Sequence, residues 1–480
     1  MAEHPIQPDG PLRLLVTIAC YGDKNLELLK QIIRAYQGMA MQVDIVVVSD
    51  GPKELGPGVE VVVGLPSDNP WSLPFAHKPI LARNAERYDL FIYSEDDMLV
   101  TEANIRAFLR VTPSLAPDEI AGFLRYEVDG TGRWSLPEAH GTYHWKPESA
   151  RRRGDLTVAE FTNEHAAFYI LTRAQLERAI ASGGFLRAPY EGRYDMLCTA
   201  ATDPYTSCGF RKVVCVSDID DFLIHHCSNR YAGQLGVPLP LFRDQVEALI
   251  AIARGVHPAI QLCRAESHLS RGEWSKSYYE NPSEELLRLI PDDAKSILSI
   301  GCGWGEIEAR LMERGAAVTA LPLDSVIGAA AALRGIEVLS GELGDCFKEL
   351  GDRIFDSVVM TNLLHLLPNP SEVIDRCARL VGHGGTLVVS GPNFRSVRVL
   401  AKRLLGIGDS RRLRSYEESG IHTVGPWVVR NQLKKLRSLG LEVDAVTWTN
   451  RRSSEGFDVS LGRLDSVGWV LQARRRVASR

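Results

Sequence analysis

The sequence predicts an α/β protein of two domains. The chain has 480 residues, which is too long for one ordinary hydrophobic core. Apolar runs of strand length alternate with segments of helical periodicity in both halves, a succession typical of parallel sheets covered by helices. In each half, strands end in residues suited to ligand binding, with a run of carboxylates in the first half and a glycine-rich turn in the second.

The composition is that of a globular protein without a dedicated nucleic-acid-binding surface. Hydrophobic residues make up 45% and charged residues 24% of the chain, and the net charge is −5, which argues against a nucleic-acid partner. No apolar run approaches the roughly 20 residues that cross a bilayer, and the N-terminus lacks the pattern of a signal peptide. The nine cysteines show no CxxC pairing or zinc-type spacing, so we expect free thiols in a cytoplasmic protein.

The first predicted domain, residues 11–235, begins with strands and helices in alternation. Its predicted elements are the strands Leu12–Ala19, Val43–Val48, Tyr88–Tyr93 and Ala166–Leu171, a helix over Asn25–Gln37 and a helix containing Lys78–Arg87. Short connections from strand to helix to strand indicate a parallel sheet. Ligands in such sheets bind beyond the carboxyl ends of the strands, which places Ala19, Tyr21 and Asp50 at the predicted ligand edge.

Three consecutive carboxylates, Glu95, Asp96 and Asp97, follow the apolar strand end Phe91–Tyr93. Like charges this close repel, and burial without compensation would cost several kcal/mol for each group. A divalent cation such as Mg²⁺ or Mn²⁺ would remove the repulsion and leave an open side for phosphate oxygens. The alternative is a solvated acidic turn between two strands.

An α/β half whose apolar strand runs into an acidic triplet resembles the nucleotide-sugar-binding domain of GT-A glycosyltransferases. The resemblance implies a nucleotide-sugar donor, such as a UDP- or GDP-sugar, and a DxD-type motif whose metal bridges the donor's diphosphate. Asp97 would then contact the metal directly, while Asp96 and Glu95 would contact the ribose, the sugar or metal-bound water. The sequence departs from the literal motif because it reads Glu-Asp-Asp. Asp50 would contact the nucleobase or ribose, with an ordinary Asp-Gly turn as the alternative.

Other polar residues are candidates for the remaining roles of such an enzyme. An inverting transferase needs a carboxylate to take the acceptor hydroxyl's proton, and the candidates are Glu164 and Asp203, with loop capping as the alternative. Asp203 lies in Tyr194–Thr206, a segment predicted to be a loop. The resemblance also implies a histidine metal ligand near the end of the domain, where His225 and His226 stand, and histidine favours Mn²⁺ over Mg²⁺. The sequence does not choose between the two histidines.

A connector, residues 236–280, separates the two predicted domains. Leu241–Arg254 within it has clear helical periodicity, and the remainder is polar and mixed. We expect a packed helical spacer and not a flexible tether.

The second predicted domain, residues 281–475, contains a glycine-rich turn directly after its first strand. The predicted strands are Ser296–Ile300, Ala317–Leu323, Ile336–Leu339, Phe355–Thr361 and Gly382–Ser390. The first of them runs into Gly301, Gly303 and Gly305, and a helix follows. Glycines at such a turn let the backbone bend tightly and approach a ligand at the start of the next helix. The spacing is GxGxG and not the GxGxxG of dinucleotide-binding proteins.

This turn, the FDSVV strand, the NLLHLLPNP segment and the GGTLVVSGPN strand follow in an order that resembles a class I S-adenosylmethionine-dependent methyltransferase. The resemblance implies that Gly301, Gly303 and Gly305 line the methionine side of the cofactor. It further implies that Asp324 contacts the cofactor's ribose and Glu342 its adenine end.

The sequence departs from the methyltransferase pattern at two positions. Ser299 stands where the first motif usually has an acid, and Pro322 stands where the ribose-binding acid usually ends the second strand. Asp324 is therefore displaced by two residues. An inactive domain kept for structure remains an alternative.

Two histidines and one basic segment complete the predicted second site. Methyl transfer to an oxygen benefits from a base, and histidine titrates in the right range. His365 and His422 occupy positions where related small-molecule O-methyltransferases carry histidines, with packing or capping as the alternative. The segment Phe394–Arg414 holds seven Lys and Arg residues among leucines and valines. This pattern indicates a solvated lid or a basic amphipathic surface that meets a membrane or an anionic acceptor.

Together these patterns predict a bifunctional enzyme that is cytoplasmic, with peripheral association at the inner face of the membrane as a variant. Its first half would transfer a sugar to a glycan or glycolipid acceptor, and its second half would methylate a hydroxyl of the product. One alternative makes the second half a non-catalytic scaffold. The other makes the methyltransferase the sole enzyme, acting on a small molecule, with a carbohydrate-binding first half. The sequence leaves the donor sugar, the acceptor, the stereochemical outcome and the oligomeric state undecided.

Overall fold

The computed structural model describes residues 11–269, 271–405, 412–413, 415–449 and 466–476. The chain separates into two compact units, Met1–His257 and Pro258–Arg480. The predicted connector is divided between them, because its helix belongs to the first unit and its later residues belong to the second. All nine cysteines are free thiols, as predicted. Within the described residues, every helix is too short or too polar to cross a membrane.

Among its described residues, the first unit contains fourteen strands and six α-helices. The strands are β1 (Arg13–Cys20), β2 (Gln42–Ser49), β3 (Val59–Val63), β4 (Leu90–Glu95), β5 (Met98–Leu99), β6 (Glu119–Ala121), β7 (Leu124–Val128), β8 (Trp134–Leu136), β9 (Arg151–Arg153), β10 (Leu156–Ala159), β11 (Phe168–Thr172), β12 (Arg211–Cys215), β13 (Leu223–His226) and β14 (Val237–Pro238). The helices are α1 (Leu26–Gln37), α2 (His77–Arg83), α3 (Glu102–Val111), α4 (Arg173–Ala181), α5 (Met196–Thr206) and α6 (Leu239–Ala253).

The core of the first unit is a five-stranded sheet in the order β11-β4-β1-β2-β3. Strands β1 to β4 run parallel and β11 runs antiparallel to β4, which confirms the predicted parallel arrangement of the first strands. Every residue of β1 after Arg13 is buried, as expected for a strand covered on both faces. Helix α1 packs on this sheet through Leu29, Ile32, Ile33 and Tyr36, which share one helical face.

Two smaller sheets extend the same unit, in the orders β6-β12-β10-β9 and β14-β8-β7-β13-β5. The second of them joins β5, the short strand that follows the acidic triplet, to β13, which ends in His226. The triplet and the histidine pair are thereby brought together although they lie far apart in the chain.

The predicted loop over Tyr194–Thr206 is wrong, because helix α5 occupies most of it. The Asp195 side chain caps the helix by accepting a hydrogen bond of 2.8 Å from the Cys198 amide. The interior of α5 is buried although it contains threonine and alanine in place of large apolar residues. Small and polar residues on the buried side removed the hydrophobic periodicity by which a helix is recognised in sequence.

The second unit contains seven strands and eight α-helices among its described residues. The strands are β15 (Ser296–Cys302), β16 (Ala317–Pro322), β17 (Glu337–Val338), β18 (Phe355–Met360), β19 (Val381–Pro392), β20 (Leu441–Thr449) and β21 (Gly468–Arg475). The helices are α7 (Glu284–Leu289), α8 (Glu306–Glu313), α9 (Ser325–Leu333), α10 (Leu343–Leu350), α11 (Pro370–Leu380), α12 (Val397–Leu405), α13 (Tyr416–Ser419) and α14 (Pro426–Lys435).

These strands form one sheet in the order β17-β16-β15-β18-β19-β21-β20. The five strands predicted from sequence pair in parallel, and β21 runs antiparallel to β19 and β20. Strands β20 and β21 are an addition to the prediction. Helices follow the parallel strands, so the carboxyl ends of β15, β16 and β18 meet at one edge of the sheet.

Candidate functional site

In both units the candidate ligand edge lies where the order of the strands reverses. In the first unit β2 and β3 extend to one side of β1 and β4 lies on the other; in the second unit β16 and β17 extend to one side of β15 and β18 lies on the other. Such a reversal opens a crevice at the carboxyl ends of the two central strands, where α/β sheets bind ligands. The acidic triplet ends β4, and the glycine turn ends β15.

The three carboxylates of the triplet have three different environments. The Asn25 amide donates a hydrogen bond of 2.8 Å to Asp96 Oδ1, and His226 Nε2 lies 3.0 Å from Asp97 Oδ2. Glu95 Oε1 is buried and has no hydrogen-bond partner. Burial, reinforced by the charge of Asp97, raises the pKa of Glu95 to about 8. Burial acts to raise the pKa of Asp97, but the hydrogen bonds from His226 and Ser228 and the charges of His226 and Arg125 together outweigh it and lower that pKa.

His226, and not His225, is the histidine that reaches the triplet. Its two ring nitrogens contact Asp97 and Glu127. Burial acts to lower the pKa of His226, but these two carboxylates outweigh it and raise the pKa to about 9. The neighbouring His225 instead lies 3.1 Å from Asn229 Oδ1 and stacks on a tyrosine ring. Of the two candidates, only His226 is shown in contact with Asp97, and its role as a metal ligand stays a prediction.

The three carboxylates of the triplet do not converge on one point, and metal binding by Glu95, Asp96 and Asp97 stays a prediction. Among the described residues, no group of three or more His, Cys, Asp or Glu side chains is arranged to hold a metal ion. Successive side chains at a strand end point in different directions, so Asp96 turns to Asn25 and Glu95 turns inward. Asp97 and His226 remain as a pair of metal-type donors, and Asp97 Oδ1 is buried without a partner. This pair fits a cation that takes its other ligands from a bound diphosphate or water.

The residues predicted at the ends of β1 and β2 lie at this edge. Ala19 is buried beside Glu95 of β4, and the side chain of Tyr21 is 54% exposed. Asp50 Oδ1 accepts a hydrogen bond of 2.9 Å from the Gly22 amide, so this carboxylate fixes the turn after β1. Its contact with a nucleotide remains a prediction.

Asp203 does not fit the role of a catalytic base. Its carboxylate is fully buried, forms an ion pair with the buried Lys78 and accepts a hydrogen bond of 2.6 Å from the Tyr190 hydroxyl. A base for an incoming acceptor must be reachable from the ligand edge, so the assignment of Asp203 is corrected to an internal ion pair. Glu164 is partly exposed, pairs with Arg193 at 2.8 Å and keeps its predicted role as a candidate.

In the second unit the glycine turn has backbone conformations that favour glycine. Gly301 and Gly305 have φ angles of 78° and 83°, which L side chains rarely adopt. A Cβ atom on Gly303 would lie 2.1 Å from the carbonyl oxygen of Tyr278. Gly303 is therefore required for close packing against the chain segment that precedes the domain.

Ser299 occupies the position where an acid was expected, but a carboxylate from elsewhere in the chain contacts Ser299. The Ser299 hydroxyl donates a hydrogen bond to the buried carboxylate of Glu308 on helix α8. The carboxylate is thus supplied from the next helix.

A cleft of about 460 Å³ opens at the same edge of the second unit. Its lining includes Gln261, Arg264, Glu342, Phe347, Pro368 and Asn369. Glu342 is exposed in this cleft, next to the start of α10. Asp324 Oδ1 accepts hydrogen bonds of 2.8 Å from the amides of Val326 and Ile327 and so caps helix α9. A ribose contact by Asp324 remains a prediction.

The two predicted histidines lie side by side, since the His422 amide donates to the His365 carbonyl at 2.7 Å. His365 Nε2 lies 2.7 Å from the Trp274 carbonyl oxygen, which can only accept, so Nε2 carries the proton and Nδ1 is the acceptor. Nδ1 is buried without a partner. Burial lowers the pKa of His365 to about 4. His422 stacks on Tyr416 and its Nε2 lies 3.0 Å from the Pro368 carbonyl oxygen.

Several residues that contact one another at these edges were not predicted from the sequence. In the first unit they are Asn25 and Glu127, the partners of Asp96 and His226. In the second unit they are Lys276, Glu280 and Thr361, which are joined to one another. Apart from Lys276 and Glu280, which are four residues apart, these pairings span large separations in the chain, and single polar residues carry no local signal of such partners.

Comparison with known proteins places relatives on the second unit. A family model described as "Methionine biosynthesis protein MetW" matches residues 281–422. The ubiquinone biosynthesis O-methyltransferase of Xylella fastidiosa (strain 9a5c) is 29% identical over 190 residues, which are 36% of this chain and 75% of that protein. The protein of the same name from Dechloromonas aromatica (strain RCB) is 37% identical over 106 residues, 21% of this chain and 45% of that protein. A solved SAM-dependent methyltransferase from Archaeoglobus fulgidus has 17% identity and a TM-score of 0.31, and the match covers 40% of this chain and 91% of that chain.

The family match and the sequence relatives support a class I S-adenosylmethionine-dependent methyltransferase domain. The residues of the β15/β18 edge fit this cofactor. The glycine turn ends β15 at this edge. A cleft within the usual size range of cofactor pockets is lined by other residues of the unit, and Glu342 stands in it as a hydrogen-bond acceptor.

Proposed function

We propose that the second unit transfers a methyl group from S-adenosylmethionine to an oxygen of a sugar hydroxyl. The observation that carries this proposal is the glycine turn at the β15/β18 reversal, in a unit that also has a cleft of about 460 Å³ containing Glu342. The matched relatives are named as O-methyltransferases, which favours an oxygen acceptor. The match covers 75% of the length of the first relative and 45% of the second. The acceptor is therefore proposed for this chain and is not taken over from the relatives.

In this proposal the side chains act by position more than by covalent chemistry. The cofactor supplies the methyl group on a sulfonium centre, which needs little further activation. Gly301, Gly303 and Gly305 would lie along its methionine side, Asp324 near its ribose and Glu342 near its adenine. Of the two predicted histidines, the partly exposed His422, which lies against Pro368 of the cleft, would meet the acceptor hydroxyl, because His365 is 2% exposed and does not line the cleft. Correct placement of the two reactants then supplies most of the rate.

Calorimetry of the full chain with S-adenosylmethionine and S-adenosylhomocysteine tests the cofactor assignment. Saturable binding at one site is expected, followed by methyl transfer to sugar-bearing acceptors. Absence of binding would favour the alternative in which the second half is a scaffold. Methylation of a non-sugar small molecule alone would favour the other alternative, with a carbohydrate-binding first half.

A second function, metal-dependent sugar transfer from a UDP- or GDP-sugar, is proposed for the first unit. It is favoured by the pair Asp97 and His226 at the β1/β4 reversal, where two metal-type donor atoms lie 3.0 Å apart. Asp97 and His226 would hold a Mn²⁺ or Mg²⁺ ion, which stabilises charge on a departing diphosphate. Asp50 and Tyr21 would meet the nucleoside, and Glu164 would take the proton of the acceptor hydroxyl.

Thermal stabilisation of the full chain by nucleotide-sugars, with and without Mn²⁺, tests this second function, because a bound ligand raises apparent stability. Stabilisation that disappears with a chelator and in Asp97→Asn is expected, whereas Glu27→Gln, on the exposed side of α1, should behave as wild type. Stabilisation that persists in the chelator would show that no metal is used.

The acceptor of both reactions is proposed to be a glycan or glycolipid at the inner face of a membrane. Helix α12 exposes Val397, Leu400, Leu404 and Leu405, and it also carries Arg398, Lys402 and Arg403. Exposed leucines beside cations suit an anionic lipid surface. The remainder of the predicted basic segment lies largely outside the described residues. Co-sedimentation with anionic but not with neutral vesicles would support this placement, and equal behaviour with both would oppose it.

A further inference from the structure

A chain segment from outside the family match crosses the ligand edge of the second unit. We call residues 258–269 and 271–280 the strap. The Leu262 amide donates to the Leu323 carbonyl at the end of β16 at 2.9 Å, and the Leu262 carbonyl accepts from the Leu343 amide at the start of α10 at 2.8 Å. Gln261 and Arg264 of the strap form part of the wall of the cofactor cleft. The first part of the strap is thus bonded directly beside the cleft.

The second part of the strap lies over the glycine turn. The Trp304 amide donates to the Tyr278 carbonyl at 3.0 Å, and the Trp304 indole donates to the Glu280 carbonyl at 3.2 Å. The Tyr278 carbonyl oxygen fills the space that a side chain at Gly303 would need. The turn and the strap are therefore packed backbone against backbone.

One buried ion pair joins this part of the strap to the end of β18. Lys276 is 1% exposed, pairs with Glu280 and lies 2.8 Å from the Thr361 hydroxyl. The Glu280 carboxylate also accepts from the Thr361 hydroxyl at 2.9 Å and from the Asn362 amide group. Burying a lysine is costly unless the charge is paired and hydrogen-bonded, and here one carboxylate provides the compensation.

The two described non-glycine residues of the second unit with positive φ angles lie close to this pair, Trp274 in the strap and Asn362 after β18. Trp274 and Asn362 have φ angles of 63° and 47°, in the left-handed region that is uncommon for residues other than glycine. The Trp274 carbonyl contacts His365, and the Asn362 side chain contacts Glu280. Such conformations cost free energy and persist where the surroundings fix them.

We infer that Lys276 and Glu280 are positioning residues of the methyltransferase site. The pair holds the strap against the ends of β15 and β18 and thereby completes the cleft wall formed by Gln261 and Arg264. Neither residue lines that cleft, so both act through the strap. The functional methyltransferase unit then begins at the strap, ahead of the family match that starts at residue 281. This inference rests on the proposed binding of S-adenosylmethionine by the second unit.

The test measures the affinity of the full chain for S-adenosylhomocysteine by calorimetry. Glu280→Gln leaves the buried Lys276 without its counter-charge, and Lys276→Met leaves the partly buried Glu280 without its cation. We expect a loss of affinity of about tenfold or more for each. The double variant Lys276→Met with Glu280→Gln removes both charges, and we expect it to bind within about threefold of wild type, because paired sites are not additive. Lys434→Met makes the same change on the exposed surface of α14 and should bind as wild type does.

Recovery of affinity in the double variant separates positioning by the pair from general destabilisation. Additive losses in the double variant, or wild-type affinity in both single variants, would overturn the inference while leaving the proposed function intact. If the wild-type chain does not bind S-adenosylhomocysteine, both the inference and the proposed function are wrong. If the single variants do not fold, Thr361→Val removes only the bridging hydroxyl, and we expect about threefold weaker binding from the loss of one hydrogen bond. Unchanged affinity there would also overturn the inference.

Discussion

The carboxyl edges of β1/β4 and β15/β18 occupy the same place in their sheets but are built from different chemistry. At the first edge, charged side chains neutralise one another, with Asp97, His226 and Glu127 in one chain of contacts. At the second edge, backbone is packed against backbone at the glycine turn, and one buried ion pair joins the strap to the sheet.

The two edges represent two kinds of ligand site, one formed by charged side chains and the other by closely packed backbone. A site made of charges can hold a cation or a diphosphate, and its properties depend on which groups are ionised. A site made of close backbone packing depends on shape, so a single added methyl group disturbs it while a change in surface charge does not. Four predictions would break or sharpen this contrast.

The largest effect is expected from removing the charge at the first edge. Asp97→Asn should reduce metal-dependent turnover of a nucleotide-sugar by roughly 1000-fold, since stabilisation of the leaving diphosphate is lost. His226→Gln should reduce the turnover to a similar extent. His225→Gln is the control, because His225 contacts Asn229 and not the triplet, and its turnover should stay within about twofold of wild type. Product formation measured by chromatography decides this, and equal losses for the two histidines would contradict the site.

The next effect concerns Asp203 and acts on stability. Asp203→Asn leaves Lys78 buried without its counter-charge, and we expect the free energy of unfolding of the first unit to fall by about 4 kcal/mol. Urea denaturation measures this, and the paired change Lys78→Met with Asp203→Leu should recover part of the loss. A variant that keeps full stability but loses sugar transfer would instead restore Asp203 as the catalytic base.

A smaller effect links the second edge to pH through His365. Its pKa is lowered from 6.5 to about 4 in the folded chain, so the unfolded state binds more protons between these values and stability falls as the pH drops through this window. The second unit should lose about 3 kcal/mol between pH 7 and pH 4 from this group. His365→Gln should lack that component in denaturation curves measured at both pH values. An unchanged pH dependence in this variant would show that His365 is accessible to protons in the folded state.

The smallest effect tests shape at the glycine turn. Gly303→Ala places a Cβ atom against the Tyr278 carbonyl oxygen, and overpacking of this kind costs about 2 kcal/mol. Affinity for S-adenosylhomocysteine should therefore fall by roughly 30-fold. Gly425→Ala is the control, since a Cβ atom there meets nothing within 4 Å. Equal binding by wild type and Gly303→Ala would show that the strap moves aside without cost.

Sequence alone was sufficient for the central strands of the two main sheets and for the edge at which their carboxyl ends meet, but not for the short strands of the first unit or for β20 and β21. Apolar runs such as Leu12–Ala19 and Ser296–Ile300 are strands in the structure, with bounds shifted by one or two residues. Helix α5 was missed because its buried side is made of small and polar residues. A run of consecutive apolar residues indicates a buried strand, whereas a helix without large apolar residues shows no periodic hydrophobic pattern.

Tertiary structure decided which polar groups are partners. Asp97 and His226 are 129 residues apart, and Lys276 and Thr361 are 85 residues apart. The sequence determined by itself that carboxylates end one strand and glycines another, because these are local properties of the chain. Which histidine reaches the triplet, and that Asp203 is buried against Lys78, follow only from how distant strands and helices pack. The free energy of burying a charged side chain depends on which groups the rest of the chain brings within hydrogen-bond distance. The partner of a buried charge is therefore decided by the tertiary structure.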